Sequence, residues 1–98
     1  MYGEGRLGLT IQEQYEKFHE ENPWVLRALE RAADEWFAAG HQRCSIKMLW
    51  ESMRYRHGVT TGKPYRFPNN VTSRYARALM QHRPEWRGKF VTATLRAV

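Results

Sequence analysis

A mainly α fold with a small β element is what this sequence predicts, and three observations predict it. Apolar residues recur at helical spacing in four separate stretches between Thr10 and Pro84. Each stretch is bracketed by residues that start or stop helices: Thr10, Asn22–Pro23, Gly40, Ser45, Gly58 and Pro84. The final "KFVTATLRAV" abandons that spacing for a β-branched and aromatic alternation. At 98 residues the chain holds one modest core, so residues 10–98 are expected to form a single domain. Residues 1–9, with three glycines and no periodicity, are expected to be a flexible N-terminal tail.

The first helix should open at Thr10, three residues before Glu13, in a capping-box pattern. Ile11, Tyr15 and Phe18 carry it to about Glu21, with a Glu-rich outer face. In the second, "ENPWVLRALERAADEWFAAG", Asn22 is the expected cap and Pro23 takes the first turn, where a missing N–H costs nothing. Val25, Leu29, Ala32, Ala33 and Trp36 form its core stripe, and Gly40 ends it. "HQRC" leaves room for two or three extended residues. Ser45 should cap a third helix over residues 46–57, closed by Gly58, with Ile46, Leu49, Trp50 and Met53 inward and Met48 and Tyr55 outward. The connection "GVTTGKPYRFP" is turn-rich, with "YRF" as a short strand able to pair with residues 89–96. The fourth helix, residues 70–83, takes Asn69 or Asn70 as its cap and stops at Pro84. Its core side is Val71, Tyr75, Ala78, Leu79 and a packed His82. The terminal strand should turn Val91, Ala93 and Leu95 to one face.

Charge is divided along the chain. Residues 1–40 hold eight acids and four bases, a net −4; residues 41–98 hold two acids and twelve bases, a net +10. Such a split points to a C-terminal half facing a polyanion. Several helices, a basic second half and a terminal strand together suggest a winged helix-like helix-turn-helix bundle, in which one helix crosses the phosphate backbone and the next enters the major groove. The helices over 46–57 and 70–83 are the candidates, although a connection of about a dozen residues is longer than the usual three- or four-residue turn. Asn69, Asn70, Ser73, Arg74 and Arg77 offer short polar groups followed by long donors: Asn suits adenine, Arg suits guanine, and Ser suits a phosphate. Lys47, Arg54, Arg56, Lys63 and Arg66 would add backbone contacts, the bases converging on one side away from Glu13, Glu16, Glu20, Glu30 and Asp34. Polar helix faces are common, but no acid lies between Pro64 and Pro84, where an ordinary surface helix mixes signs.

The remaining motifs exclude more than they assign. One cysteine, Cys44, allows no internal disulfide and fits a reducing cytoplasm, most simply as a buried small residue. No two of His19, His41, His57 and His82 lie three or four apart, so no metal site is expected, and no cofactor. There is no apolar run of membrane-spanning length, no secretory leader pattern, no glycine-rich phosphate loop and no nucleophile elbow, so neither membrane nor enzyme is expected. The order "FHEENPWV…AAG…CSIKMLWE…NN…SRYARALM…RPEW…F-x-T-x-x-LRA" resembles a group of short uncharacterised bacteriophage and prophage proteins over residues 18–97. The resemblance implies a phage or mobile-element setting and no particular activity. The basic C-terminal half makes duplex DNA the expected partner, as for a phage regulator or DNA-handling accessory, with a homodimer allowed. The alternative is a phage-borne protein that binds and modulates a host protein through exposed Trp24, Met48, Tyr55 or Trp86.

Overall fold

A computed structural model describes residues 9–63 and 67–91. Four α-helices lie among them: α1 (Ile11–Glu21), α2 (Trp24–Ala38), α3 (Ile46–Thr61) and α4 (Thr72–His82). Two short strands, β1 (Cys44–Ser45) and β2 (Phe90–Val91), and a single 3-10 turn (Pro84–Trp86) complete the order. The protein is thus mainly helical with a small two-stranded sheet. Arg66 and the rest of "YRF" except Phe67, together with Ala93 and Leu95, lie outside the described residues.

Local chemistry explains two of the helix starts. Thr10 and Glu13 form the full reciprocal capping box of α1, and the Ser45 hydroxyl accepts from the Met48 N–H at the head of α3. The other two starts differ from expectation. Asn22 does not cap α2: its backbone N–H and its Nδ2 both donate to the Phe18 carbonyl, so it closes α1. The last carbonyls of a helix lack partners, and an asparagine amide beside them turns back to supply one. α4 begins at Val71 with no side-chain cap, because Asn69 and Asn70 point elsewhere. α3 also runs through Gly58 for one further turn and ends at Gly62, whose φ of 70° supplies the left-handed residue that closes it.

β1 and β2 pair in parallel, Cys44 opposite Phe90 and Ser45 opposite Val91. The described part of the terminal strand therefore pairs with the short stretch before α3, while the expected "YRF" strand, Phe67 apart, lies outside the described residues. One cluster of buried side chains joins α2, α3, α4 and the sheet: Val25 and Leu29 from α2, Leu49 and Trp50 from α3, Tyr75 and Leu79 from α4, with Trp86 and Phe90 beyond. Cys44 is buried in it, and that burial pushes its thiol up to about 11. Tyr15 and Phe18 lay α1 over this cluster, Tyr15 edge-on to Tyr75 at 4.9 Å.

Four expected placements, those of Trp36, Ala78, His82 and Trp86, are corrected. Trp36 is only half-buried: its indole N–H donates to the Arg43 carbonyl at 2.6 Å and its ring stacks on His41 at 3.7 Å. The short link back to β1 brings that carbonyl within reach and holds the ring at the rim. α4 is rotated by roughly 50° from the expected wheel (at about 100° per residue), so Ala76 is buried in place of Ala78. His82 consequently faces solvent and meets Glu30 at 3.0 Å. Trp86, considered above as an exposed anchor, is buried against Phe37 and Phe90.

Candidate nucleic-acid interface

Of the ten residues singled out from the sequence, the fold employs four for its own construction. Arg54 donates through Nη2 to the Phe67 carbonyl at 3.2 Å and to Asn69 Oδ1 at 2.7 Å, with Glu51 3.7 Å from its Nε. It fastens the connection before α4 to α3 and seats the Phe67 ring edge-on to Trp50 and His57. Asn69 is the other half of that clasp. Asn70 Nδ2 donates to Gln14 Oε1 at 2.8 Å and so ties the approach to α4 to α1. Arg74, expected to be free, is half-buried and donates from Nε to Gln12 Oε1 at 3.4 Å. An Arg or Asn side chain carries several donors, and a neighbouring carbonyl or amide oxygen takes them whenever the chain brings one close.

Ser73 is half-buried, while Lys47, Arg56, Lys63 and Arg77 are exposed. These four do not form one compact patch. Lys47 sits in the first turn of α3 and Lys63 just past its end, so the length of a sixteen-residue helix separates them. Nor are the acids held on a remote side. α1, with Glu13 and Glu16, lies alongside α4, and Glu30 and Asp34 of α2 reach its far end. The expected convergence of the bases on one acid-free side is corrected accordingly: the helices pack by their apolar stripes, and those stripes bring acidic α1 and α2 against basic α4.

The arginine that sequence inspection overlooked is Arg83. It donates to Glu85 at 2.7 Å, to Asp34 at 3.2 Å and to Glu30 at 3.3 Å, and its guanidinium lies 4.3 Å above the Trp86 ring. The Glu85 hydrogen bond, followed by those to Asp34 and Glu30, raises its already high pKa. That same bond holds the Glu85 carboxyl below the usual glutamate value. The local signal was present in "RPE": a proline turn places a base and an acid two apart on one side.

A second cluster lines the side of α4 that faces α1. Gln12 and Tyr15 of α1 face Arg74, Arg77, Ala78 and Gln81 of α4 across a cleft of about 250 Å³. Burial, and then the charge of Glu16, keep the Tyr15 hydroxyl above its ordinary pKa, so it remains a neutral donor. No group of three or more His, Cys, Asp or Glu side chains placed to hold a metal ion occurs among the described residues. No helix among them is long and apolar enough to cross a membrane. Comparison with protein-family models, with curated proteins and with solved structures finds no match to this chain.

Proposed function

We propose that this protein binds nucleic acid, duplex DNA, through the exposed cations of its C-terminal half, as a winged helix-like phage regulator or DNA-handling accessory of the host cytoplasm. One observation carries the proposal. Residues 41–98 contain only Glu51 and Glu85 as acids, and both are taken, by Arg54 and Arg83. Lys47, Arg56, Lys63 and Arg77 are left exposed, with no carboxylate at ion-pair distance among the described residues. Uncompensated surface cations release counterions from a phosphate backbone, which is the main source of affinity in such complexes. The winged character rests on analogy: a small sheet stands beside two successive helices, α3 and α4, and α4 carries no acid. A mobility shift against two unrelated duplexes at two salt concentrations tests the proposal. With about five phosphates neutralised, log K should fall against log salt with a slope of roughly −4 to −5. Absence of any duplex binding at low salt would overturn it.

A second observation favours the host-protein alternative. Met48, Ser52, Tyr55 and Val59 follow one another at helical spacing on α3, and Tyr55 and Val59 are 74% and 66% exposed. Exposed tyrosine on a rigid helix is typical of interface anchors. Such an interface would hold its affinity as salt rises, and Tyr55→Ala would abolish it while leaving duplex binding intact.

A further inference from the structure

We propose that the cleft between α1 and α4 is a phosphate site, in which Arg74 and Arg77, aided by the amides of Gln12 and Gln81, hold one phosphodiester group of the bound nucleic acid. The inference rests on the nucleic-acid function proposed above. It changes the role of α4, which grips the backbone from its side instead of presenting base-reading groups from its N-terminus.

The geometry points this way in four respects. Arg74 and Arg77 stand three apart on α4, so both reach the same space, and neither has a carboxylate at ion-pair distance among the described residues. Two like charges at that spacing repel unless an anion sits between them. Arg74 is already oriented: Gln12 Oε1 accepts from its Nε, and Gln12 is steadied by the bond from its Nε2 to Glu16 Oε2 at 3.0 Å. The remaining Arg74 donors and the second hydrogen of the Gln12 amide stay available. At about 250 Å³ the cleft is several times the roughly 30 Å³ that one water occupies in the liquid, enough for a phosphate group with attendant water. Finally, Asn69 and Asn70 bond to Arg54 and Gln14, and α1 stands beside α4, so the asparagine end of the helix is not free to dock on base edges. A guanidinium pair matches phosphate oxygens in a planar, forked geometry that lysine lacks.

The test uses the full chain and the Gln12→Glu variant, which places a carboxylate beside Arg74. An acid in the first turn of α1 suits the helix dipole, while it loses the bond to Glu16 and faces that carboxylate one turn on. These small terms oppose each other on an exposed helix, so the variant should still fold, and its melting is measured to check this. Duplex affinity at fixed salt should drop roughly tenfold, and the salt slope should fall by about one. In parallel, the Nε–H resonances of Arg74 and Arg77 are followed while the wild-type chain is titrated with a short duplex and, separately, with inorganic phosphate. Both resonances should shift with the duplex. If the duplex binds but Gln12→Glu behaves as wild type and the two resonances stay still, the phosphate site is overturned and the nucleic-acid function stands. If no duplex binds while inorganic phosphate shifts both resonances, the nucleic-acid function is overturned and the cleft is a site for a small phosphate. If no duplex binds and neither ligand moves the resonances, both proposals fail.

Discussion

Along its side and at the residue that closes it, one helix uses arginine in opposite ways. Past the C-terminus of α4, Arg83 meets three carboxylates and covers an indole. Toward the middle of α4, Arg74 and Arg77 look into a cleft whose other walls are glutamine, tyrosine and alanine. The first is a structural knot that joins α2 to the turn before β2. The second is a concentration of positive charge with nothing of opposite sign bonded to it among the described residues. The difference teaches that a net charge of +10 over residues 41–98 is no measure of the charge offered to a partner. What matters is which cations the fold has already matched with acids.

Four measurements break or sharpen this contrast. The largest effect should come from Trp50→Ala, since Trp50 is fully buried beneath α4 and tilts against Tyr75 at 5.4 Å. Urea denaturation should show a loss of about 3–5 kcal/mol, a large part of a small domain's stability. The Arg83 knot and the cleft would lose their support together, and near-parental stability would mean that both are held independently of the core. Next, Arg83→Gln should lower the melting temperature clearly while leaving the salt slope of duplex binding unchanged. A reduced slope would place Arg83 among the DNA contacts and erase the distinction.

Acid provides the third test. Folding lowers the pKa of Glu85 through the bond from Arg83, so its contribution is complete above the ordinary glutamate value of about 4.3. It is lost as pH falls through the lowered native value. Below about pH 4, the wild-type melting temperature should therefore fall more steeply than that of Arg83→Gln. Parallel curves would show that the bond contributes nothing to folding. The smallest effect on stability belongs to Arg77→Gln. Arg77 is exposed and its loss should stay within about 0.5 kcal/mol, yet it should reduce the salt slope of binding by about one. A substantial loss of melting temperature would make Arg77 structural after all.

What the sequence made legible was local. Thr10 with Glu13, and Ser45 before α3, cap their helices by contacts three residues long, and such contacts need no knowledge of the rest of the fold. The core stripe of α2 was legible for the same reason, at Val25, Leu29 and Ala33. The asparagines were not. An Asn amide donates and accepts equally well, so position alone does not say whether Asn22, Asn69 or Asn70 serves the helix that follows or a partner elsewhere. The Arg83 knot depends on Glu30 and Asp34, which alternate with arginines on α2 and so looked like an ordinary solvated face. Gln12, and Tyr15 beyond its place in the apolar stripe of α1, were not legible as cleft residues because they lie in the acidic half, and only the packing of α1 on α4 brings them to Arg74. An uncharged glutamine in a glutamate-rich helix was the available signal.

The two-residue ladder between β1 and β2 also dictates an order of events in folding. It joins Cys44 to Phe90 across the whole of α3 and α4, and among the described residues it yields two paired positions. Closing a loop of that length from a flexible chain costs about 3 kcal/mol or more in entropy, which so short a ladder cannot repay alone. Pairing must wait until α4 has packed and the turn at Trp86 has carried Phe90 to Phe37. Shortening Phe90 should then leave the folding rate nearly unchanged and speed unfolding, the kinetic mark of a contact made after the barrier.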